Sequence, residues 1–216
     1  MSSVKKISEF TLDCQQCPRL ASHLKQVRKD YPDYHARPVP AFGAASPDLL
    51  IVGLAPGMHG ANATGRPFTG DYAGILLYET LHKFGFSNKP QSVALDDGLK
   101  LKRCKITNAV KCLPPENKPI GSEIKNCNQY LRQELEALKK GTAVLVLGGI
   151  AHNAVLTALE LKKKDYPFAH NKKYTLPNGL KLFVSYHCSR YNTQTKRLTE
   201  AMFHGVFKKI RKEVDA

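Results

Sequence analysis

The sequence predicts an α/β fold in which a mostly parallel β-sheet lies between two layers of helices. Four short segments are almost entirely aliphatic, as in strands that are covered on both faces, and stretches with helical periodicity lie between them. Strands that alternate with helices in this way are typical of parallel sheets. The chain of 216 residues is long enough for one hydrophobic core, so we expect a single domain over residues 1–216.

The predicted elements alternate along the chain. The strands are expected at residues 48–53, 104–108, 143–147 and 181–185. The helices are expected at residues 73–84, at residues 122–140 with Ser122 as the cap and a stop at Gly141, at residues 149–162 and at residues 195–212. Four prolines within residues 31–47 indicate an irregular arm, which joins an N-terminal helix to the first strand.

The charge of the chain favours a polyanionic partner. There are 33 Lys and Arg residues against 18 Asp and Glu residues, which gives a formal net charge of +15. Because each neutralised phosphate releases a counterion, this excess favours nucleic acid over an anionic membrane surface. No apolar run approaches the roughly 20 residues of a membrane span, and the first six residues lack the apolar stretch of a secretory signal. We therefore expect a soluble, intracellular protein without a membrane partner, and no sequence feature indicates an oligomer.

Polar side chains follow three of the predicted strands. They lie in the glycine-rich residues 53–71, at Asn108 and in residues 187–192. Ligands of open α/β sheets bind beyond the carboxyl ends of the strands, so a ligand site is expected where these loops meet. The glycine-rich loop matches neither GxGxxG nor GxxxxGK[ST], and we therefore expect no nucleotide cofactor.

Four of the six cysteines have a spacing that metal sites use. Cys14 and Cys17 form a C-x2-C pair, and Cys112 and Cys127 follow much later in the chain. Disulfides are disfavoured in a reducing compartment. From the residues alone, an iron–sulfur cluster, a zinc ion and unligated thiols remain equal alternatives. The other two cysteines are expected to be buried or free thiols; they are Cys104 and Cys188.

Taken together, these motifs resemble the iron–sulfur uracil-DNA glycosylases in order and spacing. The resemblance rests on Cys127 and on residues 14–20, 53–57, 65–71, 107–115 and 185–192. Leu54 and Ala55 stand where better-known relatives carry an acidic residue, which makes the chain similar to family five, the type b enzymes. The resemblance covers nearly the whole chain.

The resemblance implies a three-layer α/β/α sandwich and a [4Fe-4S] cluster. The implied cluster ligands are Cys14, Cys17, Cys112 and Cys127, of which the first two come from the N-terminal segment, residues 1–47. It also implies a monofunctional DNA repair enzyme that hydrolyses the N-glycosidic bond of uracil and leaves an abasic site, with a substrate range that reaches hypoxanthine and other deaminated bases. DNA with such bases is the expected partner, and the expected location is cytoplasmic, at the nucleoid.

The resemblance also implies roles for individual residues. Phe68 is expected to stack on the extruded base, and Asn108 to pair with the O4 and N3–H groups of uracil. His187 is expected to donate to O2, where negative charge develops as the bond breaks. Asp71 is expected to orient a water molecule or to offset the charge of the sugar, and its alternative role is a helix N-cap.

Further contacts are expected from the loops around this set. The implied base-binding loop consists of Leu54, Ala55, Pro56 and Gly57, and the implied DNA contacts are Ser189, Arg190 and Tyr191. Gly57 stands in place of a bulky residue, which predicts free room beside the base and tolerance of larger bases.

Other classes of protein remain as alternatives. A non-catalytic iron–sulfur module would bind DNA and release no base, and Asn108 and His187 would then be structural. An electron-transfer protein would leave the charge and the polar loops without a purpose. A zinc-dependent base deaminase is disfavoured because the H-x-E and P-C-x-x-C motifs are missing.

Overall fold

The central element of the structure, a computed structural model that describes residues 10–215, is a six-stranded sheet. Residues 1–9 of the predicted N-terminal segment and residue 216 lie outside the described residues. The strands are β1 (Phe42–Gly43), β2 (Leu49–Gly53), β3 (Cys104–Asn108), β4 (Ala143–Leu147), β5 (Lys173–Thr175) and β6 (Lys181–Ser185). Their order is β1-β3-β2-β4-β6-β5, with the four central strands parallel and both edge strands antiparallel. The four predicted strands are therefore confirmed as the centre of the sheet.

Helices cover both faces of the sheet. They are α1 (Pro18–Asp30), α2 (Ala61–Thr64), α3 (Tyr72–Lys83), α4 (Gly121–Glu136), α5 (Gly149–Ala158), α6 (Arg190–Gln194) and α7 (Glu200–Val214). Helices α3 and α7 pack on one face, and α4 and α5 pack on the other. The three-layer α/β/α sandwich is confirmed. Within residues 10–215, every helix is too short or too polar to span a bilayer.

The aliphatic character of the central strands follows from burial on both faces. In β2, Leu49 and Ile51 face the core formed with α3 and α7, whereas Leu50 and Val52 face the core formed with α4 and α5. All four side chains are completely buried. Because successive strand residues point to opposite faces, a sheet covered on both sides requires apolar residues at every position.

The predicted C-terminal helix over residues 195–212 is wrong in its start. Helix α6 ends at Gln194, before this segment, and α7 does not begin until Glu200. Lys196 has φ +57°, a left-handed conformation that an α-helix cannot continue through. Thr199 then caps α7, because its side chain accepts a hydrogen bond from the backbone N–H of Met202 at 3.2 Å.

The limits of two more helices differ from the prediction. Ser122 lies inside the first turn of α4 and is not its cap; instead, the carboxylate of Glu123 accepts the N–H of Ile120 at 2.9 Å. Helix α4 ends at Glu136 and not at residue 140. Helix α5 ends at Ala158, shortly before Glu160 with φ +57°. Strands β1 and β5 and helix α2 were not predicted, and β1 lies within the arm that was expected to be irregular.

Helix α1 fixes the N-terminal cysteine pair beside the sheet. Pro18 occupies the first turn directly after Cys17, a position that suits proline because it lacks an N–H group. The buried face of α1 includes Leu20 and Leu24. It packs with Val110, Cys112 and Cys127. The segments that carry the two cysteine pairs therefore meet in one cluster of buried residues.

Candidate active site

A cleft of about 430 Å³ opens at the carboxyl ends of the central strands, at the edge where the sequence predicts a site. This volume lies within the range of small-molecule pockets. The cleft is lined by Leu54, Ala55, Gly57, Phe68, Asp71, Tyr72, Ala73, Asn108, Asn117, His187, Ser189 and Arg190. It therefore brings together Asp71, Asn108 and His187, which come from three different parts of the chain.

The ring of Phe68 is held in the cleft by a constrained backbone. Phe68 has φ +59°, which is uncommon for a bulky residue. A Cβ atom at Gly53 would lie 2.6 Å from Cζ of this ring, and a Cβ atom at Gly74 would overlap its carbonyl oxygen. The hydroxyl of Tyr78 donates to the carbonyl of Pro67 at 2.7 Å. Gly53 therefore leaves the space that the Phe68 ring occupies, and Gly74 leaves the space that the Phe68 carbonyl occupies.

A buried ion pair anchors the same loop. Arg66 is completely buried, and its Nη1 and Nη2 atoms donate to Oδ1 of Asp97 at 3.1 and 3.0 Å. Burial disfavours the ionised form of Asp97, but backbone N–H groups of Leu99, Val93 and Ala94 and the Arg66 guanidinium outweigh it and lower the pKa to about 2. The loop that carries Phe68 is thus fastened to the loop over residues 93–99.

Asp71 occupies the N-cap position of α3, but its carboxylate does not cap that helix. The side chain turns back and accepts the N–H of Ala61, at the start of α2, at 3.0 Å. The alternative role of an α3 cap is therefore wrong. Burial raises the pKa of Asp71, and the hydrogen bond from Ala61 opposes this shift only in part. The carboxylate is held at the wall of the cleft in surroundings that favour its neutral form more than water does.

Two glycines make room for the Asp71 carboxylate. A Cβ atom at Gly57 would overlap Oδ1, and a Cβ atom at Gly60 would overlap Oδ1 and Cγ. The prediction of free space beside Gly57 is therefore wrong, because the Asp71 carboxylate fills that space. Any tolerance of larger bases has to come from another part of the cleft.

His187 and Asn108 approach the cleft from different strands. Burial lowers the pKa of His187 to about 4, so the ring is neutral at pH 7. Its ring centroid lies 6.1 Å from that of Phe68, and the side-chain amide of Asn192 donates to its carbonyl at 2.8 Å. Asn108 ends β3, and its buried Oδ1 has no hydrogen-bond partner among residues 10–215. Among the buried side-chain atoms that lack a partner within residues 10–215, this oxygen is the one that belongs to the cleft lining, so it is available to a ligand bound there.

Comparisons with known proteins show the family of the chain. Residues 40–211 match the family model of the Uracil DNA glycosylase superfamily. A type-5 uracil-DNA glycosylase of Thermus thermophilus is 47% identical over 195 residues, which are 88% of this chain and 89% of that protein. The chain belongs to the type-5 uracil-DNA glycosylases.

Other uracil-DNA glycosylases are also similar to the chain over most of their length. The type-5 enzyme of Pyrobaculum aerophilum is 42% identical over 87% of this chain and 83% of its own. The type-5 enzyme of Mycobacterium bovis is 38% identical over 97% of this chain and 81% of its own. A type-4 enzyme of Archaeoglobus fulgidus is 27% identical. The family predicted from the motifs is confirmed.

Not every predicted contact lines the cleft. Pro56 is buried beneath its loop, and Tyr191, in α6, is 70% exposed outside the cleft. Three lining residues were not predicted. Tyr72 and Ala73 directly follow Asp71, so their place could have been inferred from it. The guanidinium of Arg190, which was predicted, lies 5.5 Å from the centroid of the Tyr72 ring. Asn117 has no local signal that points to the cleft.

A second cavity in this type-5 family member is lined by all four cysteines of the predicted ligand set, Cys14, Cys17, Cys112 and Cys127. No group of three or more His, Cys, Asp and Glu side chains within residues 10–215 could hold a single metal ion. The four thiols line one shared cavity, and four cysteine thiolates are the usual ligand set of an iron–sulfur cluster.

Hydrogen-bond donors point at three of these sulfur atoms. Asn126 Nδ2 lies 3.7 Å from the sulfur of Cys17, and the backbone N–H of Lys111 lies 3.3 Å from that of Cys127. The hydroxyl of Tyr130 lies 3.4 Å from the sulfur of Cys14. Donors of this kind stabilise negatively charged sulfur ligands of iron–sulfur clusters, so the residues fit the implied group. Cys104 and Cys188 are completely buried in the core, as predicted.

Gly60→Ala is expected to lower base release by displacing the Asp71 carboxylate. The new methyl group would occupy the position of the carboxylate and break its hydrogen bond to Ala61. If Asp71 acts in the reaction as the resemblance implies, we expect a loss of at least about tenfold in the single-turnover rate, since small displacements of a reacting group reduce rates strongly. The matched control is Gly205→Ala in α7, where a Cβ atom meets nothing within 4 Å and activity should be retained. In an Asp71→Ala background Gly60→Ala should cause little further loss, and a full additional loss would contradict this explanation.

Proposed function

We propose that this protein releases uracil from DNA by hydrolysing the bond between the base and the deoxyribose, which leaves an abasic site. The observation that carries the proposal is the convergence of Asp71, Asn108, His187 and Phe68 in one cleft of a type-5 family member. The formal net charge of +15 supports a DNA substrate. We also propose that the protein acts as a monomer at the nucleoid of the cytoplasm.

The cleft would receive the base after extrusion from the duplex. A base inside the stack cannot be reached, so the nucleotide has to rotate out of the helix. The Phe68 ring offers a flat apolar surface for stacking. The amide of Asn108 carries both a donor and an acceptor, which pair with O4 and N3–H of uracil. Leu54 and Ala55, after β2, line the same cleft.

His187 would stabilise the departing base. As the glycosidic bond breaks, negative charge develops on O2 of uracil, and an N–H donor at this position lowers the barrier. The ring is neutral at pH 7 because burial lowers the pKa of His187 to about 4. A neutral donor needs no protonation step, so His187 should cause no change in rate near pH 6.5.

Asp71 would act on the sugar side of the reaction. The deoxyribose becomes cation-like as the base leaves, and an anion nearby offsets this charge or orients the attacking water. The glycines at positions 57 and 60 and the hydrogen bond from Ala61 support this role, because they keep the carboxylate at the wall of the cleft.

The residues at the mouth of the cleft would hold the opened duplex. Ser189 and Arg190 line the mouth, and Tyr191 beside them is 70% exposed. We propose that Arg190 or Tyr191 enters the space that the extruded base leaves. We also propose that hypoxanthine and other deaminated bases are accepted.

A [4Fe-4S] cluster would be held by Cys14, Cys17, Cys112 and Cys127. When bound, the cluster would cross-link the segment before α1, the loop after β3 and helix α4. The hydrogen bonds from Asn126 and Lys111 to the sulfur atoms support this assignment. Iron and acid-labile sulfide analysis of the purified protein, with its visible absorbance, tests it; zinc in their place would contradict it.

The function is tested with labelled duplexes that carry uracil opposite guanine or adenine, or hypoxanthine opposite thymine. After incubation, alkali cuts the strand wherever a base has been lost. We expect cleavage by the wild-type protein and a loss of about 10²- to 10³-fold with His187→Ala, since one charge-stabilising donor is removed. His23→Ala, on α1 outside the cleft, is the control. Tight binding of uracil DNA without cleavage would instead favour the non-catalytic iron–sulfur module.

A further inference from the structure

The short helix α2 supplies the hydrogen bond that holds the Asp71 carboxylate. Its first N–H group, that of Ala61, donates to Oδ2 of Asp71 at 3.0 Å. The helix has four residues, and Gly60 before it offers no side-chain cap. Isolated helices shorter than about 12 residues are marginally stable at best, so contacts from outside have to fix the position of α2. Whatever fixes α2 therefore also sets the hydrogen bond to Asp71.

The segment after α1 fixes the C-terminal end of α2. The N–H of His35 donates to the carbonyl of Ala63 at 2.9 Å, and the N–H of Ala36 donates to the carbonyl of Asn62 at 3.0 Å. A Cβ atom at Gly65, which ends the helix, would lie 3.0 Å from Nδ1 of His35. Both hydrogen bonds join main-chain groups, so this end of α2 is fixed independently of the side chains at its start.

The same segment reaches the N-terminal end of α2 through a tyrosine. The hydroxyl of Tyr34 and Nδ1 of His59 form a hydrogen bond of 2.9 Å, and the two ring centroids lie 6.0 Å apart in an edge-on arrangement. His59 directly precedes Gly60, where a Cβ atom would overlap the Asp71 carboxylate. The turn that carries His59 therefore packs directly against this carboxylate.

Helix α1 fixes Tyr34 in turn. Tyr31 follows the last residue of α1, and its N–H donates to the carbonyl of the buried Val27 at 2.8 Å. The rings of Tyr31 and Tyr34 stack with their centroids 4.7 Å apart, and the N–H of Tyr34 donates to the carbonyl of Tyr31 at 3.0 Å. The Tyr31 ring also meets His59 edge-on, with 5.8 Å between the centroids. The Tyr34 hydroxyl is thus presented to His59 from the end of a helix that packs on the core.

We propose that Tyr34 and His59 are positioning residues for uracil release, because their hydrogen bond fixes the start of α2 against the Asp71 carboxylate. The N–H of Ala61 then stays directed at that carboxylate. Neither Tyr34 nor His59 is among the residues that line the cleft, so both act through Asp71 and not on the base. This inference rests on the proposed role of Asp71 in the reaction.

Tyr34→Phe removes the hydrogen bond and keeps the ring contacts. We expect the single-turnover rate of uracil release at saturating enzyme to fall by about 3- to 10-fold, the effect of one neutral hydrogen bond, and the Kd for uracil DNA to change less than about twofold. In an Asp71→Ala background, Tyr34→Phe should cause no further loss. The matched control is Tyr174→Phe in β5, whose hydroxyl donates to the carbonyl of Pro167 at 2.6 Å outside the cleft; both quantities should stay unchanged.

Two substitutions of His59 test the same bond from its other side. Asparagine carries a hydrogen-bonding atom at the place of Nδ1, whereas glutamine carries one at the place of Nε2. We therefore expect His59→Asn to retain most of the rate and His59→Gln to lose as much as Tyr34→Phe. The opposite order would overturn the inference, because the Tyr34 hydroxyl bonds to Nδ1.

Amide hydrogen exchange at Ala61 measures the positioning without the reaction. We expect this N–H to exchange about 3- to 10-fold faster in Tyr34→Phe than in the wild-type protein, and at the wild-type rate in Tyr174→Phe. Unchanged exchange, unchanged uracil release or a loss that comes from weaker DNA binding in Tyr34→Phe would overturn the inference, while the proposed function would stand. If the wild-type protein releases no uracil, the proposed function fails and the inference fails with it.

Discussion

Asp71→Asn is expected to reduce the single-turnover rate of uracil release by about 10²- to 10⁴-fold, the range for a group that acts in proton transfer or charge stabilisation. Asparagine has nearly the same shape and keeps an oxygen that can accept the N–H of Ala61. The substitution therefore removes the negative charge and leaves the packing around Gly57 and Gly60 in place. Asp33→Asn, at an exposed position after α1, is the control and should retain full activity.

The same substitution is expected to raise the melting temperature at pH 7. Burial raises the pKa of Asp71 above that of an unfolded chain, so the folded state binds this proton more tightly. Stability therefore falls as the pH rises from the unfolded value through the raised value, and above it the ionised carboxylate destabilises the fold. Asparagine removes this effect. The gain should disappear near pH 3, where the carboxyl group is neutral in both states.

The pH dependence of the rate gives an independent measurement. If ionised Asp71 is required, the wild-type rate falls on acidification through its raised pKa, at a higher pH than for an ordinary aspartate. His187 adds no step near pH 6.5, since burial lowers its pKa to about 4. A cleavage rate that is undiminished in Asp71→Asn would remove this carboxylate from the mechanism.

The centre of the fold was predictable because burial leaves a local signature. Each central strand needs apolar residues on both faces, and this produces five-residue runs such as Ala143–Leu147. The edge strands lack the signature: β5 is three residues long and largely exposed, and it is a strand only because it pairs with β6. Helix ends were misplaced for a similar reason, since the left-handed conformations of Glu160 and Lys196 have no marker in the sequence.

The candidate site was predictable where its residues stand at strand ends or in family motifs. Asn108 ends β3 and His187 follows β6, and the fold brings both to one cleft. Asn117 was missed because its position depends on a turn that Arg19 braces from another helix. The interpretation of Gly57 was wrong because the side chain that fills the space, Asp71, comes from 14 positions later in the chain. Contacts of this kind depend on tertiary structure and leave no local pattern.

Arg66→Met is expected to lower the free energy of unfolding by about 3–5 kcal/mol, the effect of removing one partner of a buried ion pair. For a chain of this size, the melting temperature should fall by roughly 10 °C. The reason is that Asp97 keeps its charge in a site where its side chain is only 9% exposed. The matched control is Arg132→Met, whose partner Glu160 is 75% exposed, and there the loss should stay below about 1 kcal/mol.

The pH dependence and a second substitution separate the ion pair from simple loss of packing. The wild-type pair stabilises the fold above the unfolded pKa of Asp97, and this contribution is lost as the pH falls from 4 towards the folded value of about 2. In Arg66→Met the deficit should shrink on acidification, because protonation of Asp97 removes the unpaired charge. Arg66→Met combined with Asp97→Asn should recover part of the stability. Equal losses for Arg66→Met and Arg132→Met would contradict the buried pair as the anchor of the loop that holds Phe68 at φ +59°.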